Sequence, residues 1–140
     1  MNWQDLSAMS PYQTALEIEA ELAKGNITEA SAGLKELIEA LGRSEKRALK
    51  SQLIRLMAHI IKWKTQPEKR SRSWVATIGN AREEIADIQE ETPSLTNDVV
   101  REMWGKCFQA AKRDAEAEMN QETLLSELSW GDVFEAEYKK

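Results

Sequence analysis

The chain has 140 residues, of which 41% are hydrophobic and 31% are charged, and its formal net charge is −5. This balance is ordinary for a globular protein and excludes a disordered chain, which would hold fewer apolar residues. Only 6 glycines and 3 prolines are present, so turn residues are too few for an all-β fold, and long helices joined by short loops are expected.

The cysteine content and the hydropathy of the chain indicate in which cellular compartment the protein is expected. The single cysteine, Cys107, excludes an intrachain disulfide and an all-cysteine metal site. The first residues lack the basic and apolar regions of a signal peptide. The longest nearly apolar stretch, residues 53–61, is far shorter than the roughly 20 residues that a membrane span needs. We therefore expect a cytoplasmic protein that does not enter a membrane.

The N-terminal part predicts an arm followed by a helix. Residues 1–9 are expected to form a loosely held arm, with Trp3 and Leu6 as anchors. The pair Ser10-Pro11 is typical of an N-cap followed by the first helical residue. It predicts a first helix over residues 11–24 with an imperfect apolar stripe.

A second helix is predicted to begin at an N-cap, Thr28, and to end at Gly42. Its apolar residues follow the i, i+3, i+4, i+7 spacing of a buried stripe. They are Leu34, Leu37, Ile38 and Leu41.

The clearest pattern in the chain predicts a helical hairpin. A third helix is expected over residues 45–66 and ends before Pro67, because the residue before a proline is pushed out of the helical region. A fourth helix, capped by Ser71 or Ser73, should reach Glu91. Both helices carry apolar residues spaced 4, 3, 4, 3, as an antiparallel pair requires. We expect one core that holds Leu53, Leu56, Ile60, Ile78 and Ile85.

Residues 92–94, Thr-Pro-Ser, are expected to separate the hairpin from a fifth helix over residues 95–119. The apolar face of this helix is broad, which indicates contact on two sides. Trp104 and Phe108 are the candidate self-association face, to be buried either by the C-terminal tail or by a second subunit. In the tail, residues 120–140, Ser129 is expected to cap a short turn that folds back onto the bundle. Together these elements predict a single all-α domain, an antiparallel bundle of about five helices.

Charge is unevenly distributed along the chain. Residues 43–72 hold ten basic and two acidic residues, whereas the remainder has a net charge of −13. The densest basic run, with two tryptophans, lies at the turn of the hairpin, and we call it the basic corner. Its members are Lys62, Trp63, Lys64, Lys69, Arg70, Arg72 and Trp74.

Two interpretations of the basic corner compete. Basic side chains interleaved with tryptophan suit phosphate contacts and base stacking. In the structural alternative, the tryptophans close the end of the hairpin and the arginines cap helix carbonyls or pair with acidic neighbours.

Four segments, Leu41–Arg47, His59–Trp63, Gln66–Trp74 and Pro93–Leu95, closely resemble a bacterial family catalogued as domain of unknown function 29. The resemblance implies an all-helical fold, and it brings no established activity, cofactor or catalytic residue. The sequence departs from the family pattern in two places. The N-terminal segment of the family is rich in aromatic residues, whereas this chain has Trp3 and Tyr12 there. The family also has a Cys-Pro near the C-terminus, which this chain lacks.

The sequence gives little evidence of a catalytic site. His59 is the only histidine, so a histidine-based metal site lacks its partners, and a dyad with Cys107 would need a basic, exposed cysteine. No Gly-rich phosphate loop, nucleophile elbow or zinc motif occurs. We therefore expect no enzyme, no metal and no cofactor.

The sequence favours a small interaction or accessory module that binds an unidentified protein or a second copy of itself. The alternative function is nucleic-acid or other anion binding through the basic corner. Such binding is expected to be weak, because the rest of the chain is acidic.

Overall fold

The computed structural model describes residues 2–140. This part of the chain has six α-helices and no strand, which confirms the expected all-α fold. It divides into two compact units, the first of which ends at Arg47 while the second comprises Ala48–Lys140. The expectation of one folding domain stays a prediction. The helices are α1 (Trp3–Met9), α2 (Pro11–Ala23), α3 (Ile27–Thr65), α4 (Arg72–Glu91), α5 (Asn97–Glu102) and α6 (Trp104–Met119).

The N-terminal residues form helix α1 where the sequence predicts a loose arm. The side chain of Asn2 caps this helix by accepting a hydrogen bond from the backbone N–H of Asp5. Trp3 is buried, and its indole N–H donates to Glu29 over 2.9 Å. A large aromatic ring that is buried with its N–H satisfied orders the segment that carries it.

Ser10 ends α1 and also caps α2, since its hydroxyl accepts from the backbone N–H of Gln13. Pro11 occupies the start of α2, as predicted. The small core of the first unit consists of Trp3, Ile18 and Ala30, with Leu6 and Leu37 packed against it.

The predicted second and third helices are one continuous helix, α3, so the expected end at Gly42 is wrong. A glycine inside a helix costs only about 0.5–1 kcal/mol relative to alanine. The flanking leucine, arginine, glutamate and lysine residues are good helix formers that outweigh this cost. Gly25, in contrast, has a φ of +81° and does terminate the preceding helix.

The hairpin of the second unit forms as predicted. α3 ends at Thr65, a 3-10 turn spans Pro67–Lys69, and Ser71 caps α4 by accepting from the backbone N–H of Trp74. The expected common core is confirmed, since five predicted side chains lie in one cluster and none is more than 2% exposed. They are Leu53, Leu56, Ile60, Ile78 and Ile85.

The predicted fifth helix consists of two helices, α5 and α6, which meet at Met103. α5 begins two residues later than predicted, because the side chain of Thr96 accepts from the backbone N–H of Val99 and caps the helix there. α6 ends at Met119, and the next residue, Asn120, adopts the left-handed conformation common after helices.

The C-terminal segment packs on the second unit. Ser129 and Asp132 cap the turn Gly131–Glu135 reciprocally, each side chain accepting from the backbone N–H of the other residue over 3.0 Å. The backbone N–H of Ser129 lowers the pKa of Asp132, and the side chain of Lys64 acts in the same direction. Val133 is fully buried in the main core. Arg82 of α4 holds this turn by donating to the Val133 carbonyl over 2.8 Å.

Within the described residues, no helix combines the length and apolar character that crossing a membrane requires.

Candidate interaction surfaces

The centre of the basic corner is a packed tryptophan. Trp63 is 6% exposed and makes an edge contact with Tyr138 at 5.6 Å between ring centroids. Arg70 lies over the Trp63 ring at 4.7 Å and also donates to the Trp63 carbonyl over 2.9 Å. These are the contacts that the structural interpretation of the corner expects.

Two lysines of the corner are engaged in ion pairs. Lys62 is buried, lies 5.6 Å from the centre of the Trp74 ring and pairs with Glu118 of α6. Lys64 pairs with Asp132 of the C-terminal turn at 3.3 Å. Both lysines therefore connect α3 to later parts of the second unit.

The remaining cations of the corner, Lys69 and Arg72, are exposed, and neither takes part in an ion pair within residues 2–140. Of the seven predicted corner residues, these two are the most available to a ligand. The prediction that the basic corner binds nucleic acid therefore depends on these two side chains.

Reversing the charge of Arg70 should destabilise the protein, whereas reversing the charge of Lys69 should not. Arg70→Glu removes a ring contact and a hydrogen bond to the end of α3, and we expect a loss of about 1–2 kcal/mol. Lys69→Glu should stay within about 0.5 kcal/mol of the wild type. Thermal unfolding of both variants measures the difference.

The same pair of variants tests nucleic-acid binding. A phosphate-binding corner would give salt-sensitive binding to single-stranded nucleic acid that Lys69→Glu abolishes at unchanged stability. We expect no tight binding by the wild type at low salt. Tight binding that disappears in Lys69→Glu would contradict this expectation.

The predicted self-association face is covered by the chain itself. Phe108 is buried in the main core. Trp104 stacks on Trp130 at 5.4 Å between ring centroids, and its indole N–H donates to the Leu128 carbonyl over 2.9 Å. The sequence left open whether the C-terminal tail or a second subunit buries this face. In the structure the tail covers it, because the aromatic turn of the tail fits the broad face of α6.

His59 lies beside a surface pocket of about 360 Å³ that Arg55, Asp114 and Glu118 also line. Its Nδ1 atom donates to the Arg55 carbonyl over 2.9 Å, since a carbonyl oxygen can only accept. Cys107 is fully buried, and burial raises the pKa of its thiol. The structure thus places Cys107 in the core and leaves His59 half-buried at the edge of the surface pocket.

Acidification should destabilise the protein through His59. Burial lowers its pKa, and the charge of Lys62 acts in the same direction. The unfolded chain therefore takes up a proton at higher pH than the folded chain. The stability that neutral His59 contributes is present above the ordinary histidine pKa of about 6.5 and is lost as the pH falls below it.

We expect the melting temperature to fall between about pH 7.5 and pH 5.5, a window that lies above ordinary carboxylate pKa values. His59→Gln should flatten this part of the profile, since glutamine does not titrate. An equal fall in wild type and variant would show that other groups cause it.

The most exposed apolar surface lies in the first unit and includes a helix face that the sequence predicts to be buried. Nine large hydrophobic side chains are exposed in residues 2–140, and eight of them lie between Met9 and Leu41. Four share one face of α3 and are 44% to 67% exposed, and we call them the α3 stripe. They are Ile27, Leu34, Ile38 and Leu41.

The first unit buries the neighbouring row of α3. Ala30 and Gly33 are buried and Leu37 is half-buried. A Cβ atom on Gly33 would lie 2.8 Å from the Trp3 ring and 2.9 Å from Ile18, so the glycine leaves the space that these two side chains fill. The predicted burial of Leu34, Ile38 and Leu41 is therefore wrong. The apolar spacing identified the stripe, but only the packing of Trp3 shows that it is exposed.

Comparison with known proteins places the chain in a family. The model described as "Domain of unknown function DUF29" matches residues 15–135, which is more than half of the chain. No curated protein and no solved structure matches it. The chain therefore belongs to the DUF29 family of domains of unknown function.

Proposed function

We propose that this chain is a cytoplasmic protein-interaction module that binds its partner through the α3 stripe. The observation that carries the proposal is the exposure of four leucine and isoleucine side chains on one face of one helix. Single exposed apolar residues are common on protein surfaces, but a continuous row of them is typical of an interaction site.

The helical geometry of the stripe supports this function. Its members are spaced 7, 4 and 3 residues apart, so they lie along one side of α3. Polar residues lie beside them on one side of the helix, including Lys35 and Glu39. An apolar row with a charged rim resembles the anatomy of protein interfaces, in which a water-free centre is surrounded by a polar border.

The remaining apolar surface has a different character. Within residues 2–140, Leu124 is the one exposed large hydrophobic residue outside residues 9–41, and it is fully accessible and stands alone in the C-terminal segment. Its side chain is apolar and exposed like those of the α3 stripe, but it is not part of a row. Leu124 is therefore a matched control for every test of the stripe.

Site-specific crosslinking in the source cell tests the proposal. A photo-reactive amino acid at position 38 of the full chain should give one discrete adduct, identified by mass spectrometry, and the same amino acid at position 124 should give none. Adding Leu34→Lys should abolish the adduct without changing the melting temperature, since Leu34 is half exposed. Absence of an adduct at position 38 would overturn the proposal.

A further inference from the structure

We infer that the surface pocket beside His59 binds a small zwitterion with an apolar body, of the class of aliphatic amino acids and short aliphatic peptides. The inference is independent of the α3 stripe, since every residue that lines the pocket belongs to the second unit. Three features carry it: the size of the pocket, its apolar floor, and one unpaired charge of each sign at its rim.

The pocket is a groove between two helices of the second unit. α3 contributes residues 51, 54, 55, 58 and 59, which recur every three or four positions along one side of the helix, and α6 contributes Asp114 and Glu118, one turn apart. The volume of about 360 Å³ lies at the lower end of the range of about 300–1,000 Å³ that is typical of small-molecule sites. The groove therefore suits a small molecule.

Burial within the groove separates an apolar floor from a charged rim. Ala58 is buried and Ile54 is half-buried. Arg55, Asp114 and Glu118 are exposed. An apolar floor with a few polar groups around it is the usual form of a ligand site, and it favours a ligand whose apolar part enters first.

The rim holds one charge of each sign that has no counter-ion in the described part of the chain. The Arg55 guanidinium donates to the neutral side chain of Gln52 over 3.2 Å, and neither Arg55 nor Asp114 enters an ion pair there. Glu118 differs, because it already pairs with Lys62. A carboxylate can pair with the guanidinium and an ammonium with the free carboxylate. Since these two side chains belong to different helices, a molecule with both charges spans the groove.

His59 adds a hydrogen-bond acceptor without a second positive charge. Burial lowers its pKa, so the imidazole is neutral at pH 7. Its Nδ1 atom donates to the Arg55 carbonyl, and a neutral imidazole that donates through Nδ1 can accept only through Nε2. An ammonium group is a donor that suits this acceptor.

Titration of the isotope-labelled full chain with L-leucine and with leucyl-leucine tests the site. Amide chemical shifts at constant pH and ionic strength should change saturably at the residues that line the groove. Saturation by either probe supports the inference, and the tighter of the two shows whether an amino acid or a peptide is the better ligand. The inference is wrong if neither probe saturates at millimolar concentration, or if the shifts lie outside the groove.

Analogues that lack one charge test the zwitterion on the unaltered protein. The N-acetylated form of the tighter probe has no ammonium, and its C-amidated form has no carboxylate. Each should bind about tenfold more weakly or worse, because one charged group of the groove then lacks its partner. Equal binding of either analogue would contradict the need for both charges.

Neutralising variants assign each charge to its partner. Arg55→Gln should remove the preference over the C-amidated probe, and Asp114→Asn should remove the preference over the N-acetylated probe. This exchange of preferences is a result that a merely structural role would not produce. Arg113→Gln and Asp87→Asn are matched controls, since both residues are exposed and neither lines the pocket. All four variants should keep the wild-type melting temperature, and wild-type binding by both groove variants would overturn the inference.

Discussion

Replacing Leu56 by alanine should lower the free energy of unfolding by about 2–5 kcal/mol, the usual cost of removing a large side chain from a packed core. Leu56 has no exposed surface and lies in the cluster that joins α3, α4 and α6. The surrounding side chains belong to different helices and cannot all move into the space, so a cavity remains. Chemical denaturation measured by circular dichroism gives the value.

Leu124→Ala is the matched control for Leu56→Ala. The same three carbon atoms are removed from a side chain that is fully exposed, and exposed sites of this kind change stability by about 0.5 kcal/mol or less. Equal stability of the Leu56 and Leu124 variants would contradict the assignment of Leu56 to the core.

Replacing Gly33 by alanine should destabilise the first unit by about 1–3 kcal/mol, the usual cost of adding a methyl group to a packed site. The new Cβ would meet the Trp3 ring at 2.8 Å and Ile18 at 2.9 Å. The ring is stiff and its N–H is held by Glu29, so it cannot yield without losing a hydrogen bond. Hydrogen exchange of the α1 amides reports on this unit directly.

Gly42→Ala should have the opposite effect in the same helix. A Cβ at Gly42 meets nothing within 4 Å, and alanine is favoured over glycine in helices by about 0.5–1 kcal/mol. The first unit should therefore keep its exchange protection in this variant. If Gly33→Ala proved as stable as Gly42→Ala, the packing of Trp3 on α3 would be wrong.

The spacing of residues in the sequence predicts where the candidate sites lie, but it does not predict which residues their side chains contact. The basic corner is contiguous in the sequence, so its location was predictable, but the partners of its cations were not. Lys62 pairs with Glu118 and Lys64 pairs with Asp132. These partners lie more than fifty residues along the chain, and no local pattern connects them.

The α3 stripe shows the limit of periodicity more sharply. The spacing of Leu34, Ile38 and Leu41 predicted an apolar face, and that face exists. A pattern ranks the faces of a helix by hydrophobicity, but it does not reveal which face a neighbouring element fits. The hydrogen-bonded Trp3 ring and the missing Cβ of Gly33 decide that point.

The sequence by itself determined the all-α class, the helix ends at Ser10-Pro11 and Pro67, and the shared core of α3 and α4. Those features depend on backbone chemistry and side-chain spacing within a few turns, which the sequence displays directly. The continuity of α3 through Gly42, the cover of Trp104 by the C-terminal turn and the exposure of the α3 stripe were decided only by the tertiary structure. Each depends on shape and contact between residues far apart in the chain, where packing outweighs local preference.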